Sequence, residues 1–218
     1  MRNSVAKLAV SLLIGGLVLA IAAPAGAWVP SADFITGGGW FIIDNPYATP
    51  GPTNPCEPAT GCFGTNGARA NFGWHGGVKN GAYWGNGNYI EHSSLGVHVH
   101  SLQVLDYVCV VNCDVTTHKD TGTRDICGEA SVTSILGPYN VYYRVRMRDS
   151  GEPGAGNAGG NDAFGITLYD ESNHQPVYFA QGVPISGGNI QLNKGNPSNT
   201  SPTPSHFCDS LAILYTWQ

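Results

Sequence analysis

Tyr139-Asn-Val-Tyr-Tyr-Arg-Val-Arg-Met-Arg148 alternates residue by residue, with Val141, Tyr143, Val145 and Met147 in one phase and Tyr142, Arg144, Arg146 and Arg148 in the other. Side chains of an extended chain point to opposite faces with a period of two, so the stretch predicts a strand with a core face and a solvent face. The same alternation returns downstream in Phe164, Ile166 and Leu168 and in Ile190 and Leu192, and upstream in Ala130 and Val132. Ala70, Phe72 and Trp74 mark another strand, and Trp40 to Asp44 an earlier one. Between Val97 and Val110 the apolar phase switches from odd to even numbers, which a β-bulge near Ser101 would produce.

About ten short strands separated by Gly and Asn turns predict an all-β fold, a single antiparallel β-sandwich with long disulfide-clipped loops. A jelly roll is one form that sandwich can take. The composition agrees: 30 Gly, 14 Pro and 11% charged residues favour turns and sheet over helix. Net charge is −5. That balance argues against nucleic acid or an anionic membrane as partner, since both want a basic surface.

Residues 1–27 read as a cleaved export signal. Arg2 and Lys7 precede the apolar run Leu8 to Ala23, and Ala25-Gly26-Ala27 is an A-x-A cleavage site. The run is short for a transmembrane helix and is broken by Gly15-Gly16, and no second run of spanning length follows. Residues 28–194 are expected to form the β domain, and 195–218 a Ser/Thr/Pro-rich linker and a strand-like tail, Leu211 to Trp217. The tail is apolar enough to need burial, either on its own domain or as a strand added to a neighbouring subunit.

Six cysteines, an even number in an exported chain, predict disulfides: Cys56, Cys62, Cys109, Cys113, Cys127 and Cys208. The preferred pairing is a local Cys56 to Cys62 clip, with Cys208 joined to one of Cys109, Cys113 and Cys127. The cysteines lack the close C-x2-C pairs of a zinc cluster.

Three groups of residues invite a chemical reading. Asp149, Glu152, Asn161 and Asp162 offer oxygen ligands at the ends of adjacent strands, which suits calcium, although the spacing is not that of an EF-hand and the same residues are common in turns. His98 and His100 place two imidazoles on one side of a strand, the beginning of a transition-metal site. Trp74, Tyr83, Trp84 and Tyr89 lie among Gly and Asn, a composition suited to stacking sugars, with core packing as the competing use. Arg144, Arg146 and Arg148 form a basic stripe that could grip an acidic polysaccharide or lie on an exposed face balanced by acids on a neighbouring strand. No G-x-S-x-G elbow or P-loop occurs, and no glycine-rich turn opens onto the helical period that a dinucleotide fingerprint requires, so the sequence leans away from an enzyme.

Six motifs occur in order: Ile35-Thr-Gly-Gly-Gly-Trp40, Gly67-Ala-Arg-Ala-Asn-Phe-Gly73, Gly96-Val-His-Val-His-Ser101, Asp149-Ser-Gly-Glu-Pro-Gly154, Asn161-Asp-Ala-Phe164 and Gly187-Gly-Asn-Ile-Gln191. Together they resemble the post-COAP type domain of secreted bacterial proteins, over Phe34 to Lys194. The resemblance implies an exported, mostly β module, alone or joined to other surface domains, with no assigned reaction. The expected role is therefore a secreted or cell-surface non-catalytic module, structural or adhesive. Its expected partner is an extracellular glycan or protein, or copies of itself through the terminal strands.

Overall fold

The computed structural model describes residues 33–114, 121–135, 137–151, 161–195 and 200–218. Nine strands form within them: β1 (Asp33–Ile42), β2 (Arg69–Lys79), β3 (Ala82–His92), β4 (His98–Val111), β5 (Gly122–Ser134), β6 (Gly137–Asp149), β7 (Ala163–Tyr169), β8 (Pro176–Gly182) and β9 (Gly187–Lys194). All pair antiparallel in one sheet of order β8-β7-β6-β5-β4-β3-β2-β1-β9. The order is a meander with β9 returning to β1, not the Greek keys of a jelly roll. Short turns are the cause. Asn80-Gly81 joins β2 to β3 with positive φ at both residues (53° and 76°), a geometry that Asn and Gly tolerate and that returns a strand beside its predecessor.

The sheet curls until its two halves face each other like the layers of a sandwich. Phe72 of β2 stacks on Phe164 of β7 with ring centroids 4.1 Å apart, and Trp74 meets Tyr143 of β6 edge-on at 5.0 Å. Val141, Tyr143, Val145 and Met147 are all buried on the inner face, as the alternation requires. At one seam Asp44, just past β1, bridges Gln181 of β8. The phase switch in β4 is a register shift between Ser101 and Gln103, and it leaves Leu102 exposed.

Glycines let β1 and β9 approach. A Cβ on Gly39 would stand 2.1 Å from the Gly187 carbonyl oxygen, and one on Gly188, where φ is +110°, 2.1 Å from that of Gly38. The first and last glycine motifs of the sequence are thus one packing unit.

The outer face is divided. Over β5 to β8 it is covered by the 205–218 tail and by the loop after β1. Leu211, Leu214, Tyr215 and Trp217 are buried there, with Tyr47 against Phe179 (5.3 Å between ring centroids) and its hydroxyl donating to the Leu214 carbonyl at 3.2 Å. The tail packs on its own chain and is not a strand; it contributes one short 3-10 turn, Cys208–Ser210. Over β9, β1, β2, β3 and the first half of β4 no described segment covers the outer face, apart from residues 200–203 at the β2–β3 end, where Gly81 N–H donates to the Thr200 carbonyl at 2.9 Å and the Tyr83 hydroxyl to that of Thr203 at 3.3 Å.

Candidate functional site

The inner apolar rows of β6 and β7 each run into a carboxylate. Asp149 follows Met147 at the end of β6, Asp162 precedes Phe164 at the start of β7, and the pairing of Arg148 with Ala163 sets the two acids side by side. Both are buried. Asp162 accepts the Ser150 N–H at 3.0 Å with one oxygen and the Ile190 N–H at 2.8 Å with the other. Asp149 accepts Gly151 N–H at 2.7 Å and Leu192 N–H at 2.7 Å. Ile190 and Leu192 lie on β9, whose other edge is taken by β1. The two carboxylates therefore stand where a tenth strand would, supplying oxygen acceptors to N–H groups of a strand edge that would otherwise be left open.

Each oxygen of the pair is turned to an amide, a role that requires no ion. Asn161 contributes its backbone carbonyl, which accepts from Arg148 Nη2 at 2.8 Å and Ser150 Oγ at 2.9 Å, while its side chain is on the surface. Glu152 lies outside the described residues. The donor set thus fits backbone amides better than a calcium cage, and among the described residues no three His, Cys, Asp or Glu side chains gather as metal ligands. Asp149→Ala is expected to lower stability by about 3 kcal/mol, because it deletes charge-assisted bonds and strands a buried N–H. That corresponds to a melting temperature roughly 9 °C lower, whereas a chelator should leave the wild-type melting temperature unchanged.

The basic stripe is a correction to the sequence reading. Arg144 and Arg146 point outward, yet the tail covers them and both are buried. Asp125 on β5, the direct partner of Arg146, sits between them: Arg146 Nε donates to its Oδ1 at 2.7 Å and Arg144 Nε to its Oδ2 at 2.8 Å. The remaining donors hold the tail. Arg144 Nη1 bonds the carbonyls of Cys208 and Leu211, both at 2.8 Å, Arg146 Nη1 bonds that of Trp217 at 2.9 Å, and Arg148 Nη1 that of Gln218 at 3.3 Å. Burial works against the charge on Arg144, and Asp125 beside it more than reverses that, so its pKa is held above the ordinary arginine value. One acid on the neighbouring strand, Asp125, does balance Arg144 and Arg146, but inside the protein.

The other candidates separate by strand phase. Trp74 and Tyr89 are core residues, because they share the inward rows of Phe72 and Glu91, and so are withdrawn from any surface role. Tyr89 and Tyr178 hydroxyls lie 2.6 Å apart, and Tyr178 donates to the buried Glu91 at 2.6 Å. Burial pushes both phenols well above the usual tyrosine value and keeps them protonated. Tyr83 and Trp84 are half-buried, and Trp84 faces outward beside Phe34 and His75. His98 and His100 share the exposed outer face, where His100 Nδ1 bonds Asn88 Oδ1 at 2.8 Å; they are not brought together with a third ligand among the described residues.

The disulfides are Cys56–Cys62, Cys109–Cys113 and Cys127–Cys208. The local clip and the tie from Cys208 back to the earlier cysteines are as expected, and the last staples the tail to β5. Three bridges suit an oxidising compartment. No helix among the described residues is long and apolar enough to cross a membrane.

Sequence reasoning missed Asp125, and also Asp33, fully buried at the start of β1, where it accepts Arg124 Nε at 2.9 Å. No local motif marks either acid; only the register of β5 on β6 and the curl of the sheet bring them to their arginines. No family model matches the chain, and neither a curated protein nor a solved structure matches it.

Proposed function

We propose that the chain is an exported, non-catalytic β module of the outer cell surface, adhesive or structural in role, of the post-COAP kind its ordered glycine motifs suggest. The observation that carries this reading is the use of the buried charges. Asp33 with Arg124, Asp125 with Arg144 and Arg146, and Asp149 and Asp162 with the β9 amides hold the curled sheet together and fasten its tail. Groups held this way support a shape and do not move protons. The N-terminal apolar segment with its A-x-A site and the three disulfides support export.

An adhesive monomer is favoured over assembly through terminal strands because both sheet edges are engaged within the chain. Carboxylates cap β9, and on β8 the Val177 carbonyl accepts Phe63 N–H at 3.2 Å while Gln181 pairs with Asp44. Sedimentation of the mature protein is expected to give a monomer. Filaments or sheets would replace this reading with the assembly one.

A further inference from the structure

The described residues include seven arginines and lysines, and the fold employs four: Arg124, Arg144 and Arg146 in buried ion pairs, and Arg148 on the Asn161 and Gln218 carbonyls. Of the remaining three, Arg69 and Lys79 lie in the outward row of β2, and Lys194, in phase with Ile190 and Leu192 at the end of β9, reaches the cleft beside Lys79; none has a carboxylate partner among the described residues. The outward row of β2 reads Arg69, Asn71, Gly73, His75, Gly77, Lys79, a cation at either end with small or polar residues between. A Cβ on Gly73 would meet nothing within 4 Å, so the middle of the row is open above the backbone.

Each end joins a cation to an aromatic ring. Arg69 lies over the Trp40 ring, its guanidinium carbon 4.4 Å from the ring centroid, a cation–π contact that restrains the side chain. At the other end Phe34, Lys79, Trp84 and Lys194 line a cleft of about 480 Å³. Arg69 and Lys79 are ten residues apart on one strand, which is about 33 Å of extended chain. That span suits a polymer, not a single sugar.

No Asp or Glu points outward from β1, β2, β3, β9 or the first half of β4. Outward acids beyond this region among the described residues include Asp44, one step past β1, Asp106 in the second half of β4, which accepts the Cys208 N–H under the tail, and Glu129 on β5, opposite Gln103. In a chain of net charge −5, the described Arg and Lys side chains that the fold leaves without an ion pair or a carbonyl partner are therefore gathered along this face and at its end.

We propose that this face binds an anionic polysaccharide laid along β2, with Arg69 at one end and Lys79 and Lys194 at the other pairing its carboxylate or sulfate groups and Trp84 packing against a sugar ring. The inference rests on the adhesive reading above and names its ligand class. It also moves the acidic-polysaccharide role from Arg144, Arg146 and Arg148, which the tail covers, to basic residues the fold leaves free.

The test is titration calorimetry of the mature protein with alginate, a polyuronate, with heparin, a sulfated polymer, and with neutral dextran. At least one anionic polymer is expected to bind, with affinity falling as salt rises, and dextran is not. Arg69→Gln/Lys79→Gln/Lys194→Gln should weaken binding at least tenfold, Lys79→Gln/Lys194→Gln alone severalfold, and Glu57→Gln on the far loop not at all. Preference for alginate or for heparin assigns the anion as carboxylate or sulfate. Equal binding by the triple variant, binding to dextran as strong as to the charged polymers, or no binding to either anionic polymer overturns the proposal. Retention of the protein on intact bacterial cells, together with no binding to either anionic polymer, would overturn this ligand class and leave the adhesive reading standing.

Discussion

Asp125→Ala is expected to be the most destabilising single change in the protein, by about 4 kcal/mol or roughly 12 °C in melting temperature. Asp125 is fully buried and is the shared counter-charge of two guanidiniums, with its oxygens 2.6 to 2.9 Å from their nitrogens. Removing it leaves two like charges under the tail without compensation. The same buried triad as a whole is a weak source of stability, since desolvating three charges offsets most of their attraction. The loss on breaking it is large because an unpaired charge remains. Arg146→Met should therefore cost less than Asp125→Ala, even though it also deletes the bond to the Trp217 carbonyl and the contact with the Tyr215 ring at 4.9 Å. Thermal melts of the two variants side by side check the order. Limited proteolysis should find the tail cut first in Asp125→Ala.

The double change Cys127→Ala/Cys208→Ala is expected to cost as much or slightly more, about 4 to 5 kcal/mol, from the loop-closure entropy of a cross-link with sequence separation 81. The Cys56–Cys62 and Cys109–Cys113 bridges close separations of only 6 and 4. By the same logarithmic dependence each contributes about 2 kcal/mol. The long bridge also sets Cys208, fully buried, where its N–H donates to Asp106 at 2.9 Å and its carbonyl accepts from Arg144. Denaturant unfolding of three paired-cysteine variants should rank the 127/208 pair as the costliest by about twofold.

The strand pattern was legible because burial on one face imposes period two, and Val141 to Met147, Phe164 to Leu168 and the switch near Ser101 all show it. Trp74 was legible as well: it stands in phase with Ala70 and Phe72 and so belongs to the core. Tyr89 was not, because its phase depends on the two-residue turn at Asn80-Gly81 that sets β3 against β2. Periodicity also says nothing about what covers an outer face. Arg144 and Arg146 look solvated because arginine is usually exposed, and only the register of Asp125 opposite Arg146, with carbonyls brought by a segment more than sixty residues away, makes their burial affordable. The acidic loop is hard to read from sequence for a related reason. Asp149 and Asp162 were recognised as a pair of oxygen donors, but their partners, the amides of Ile190 and Leu192, become visible only once β9 has folded back onto β1.

Hydrogen exchange of the Ile190 and Leu192 amides in native protein, with chelator present, tests most directly whether these acids hold the fold. Both N–H groups lie on an edge strand without a strand partner on that side. The account predicts core-like protection for both, lost at Leu192 in Asp149→Ala. Exchange at the rate of an open strand edge in the wild-type protein, or protection that appears only when calcium is added, would contradict it.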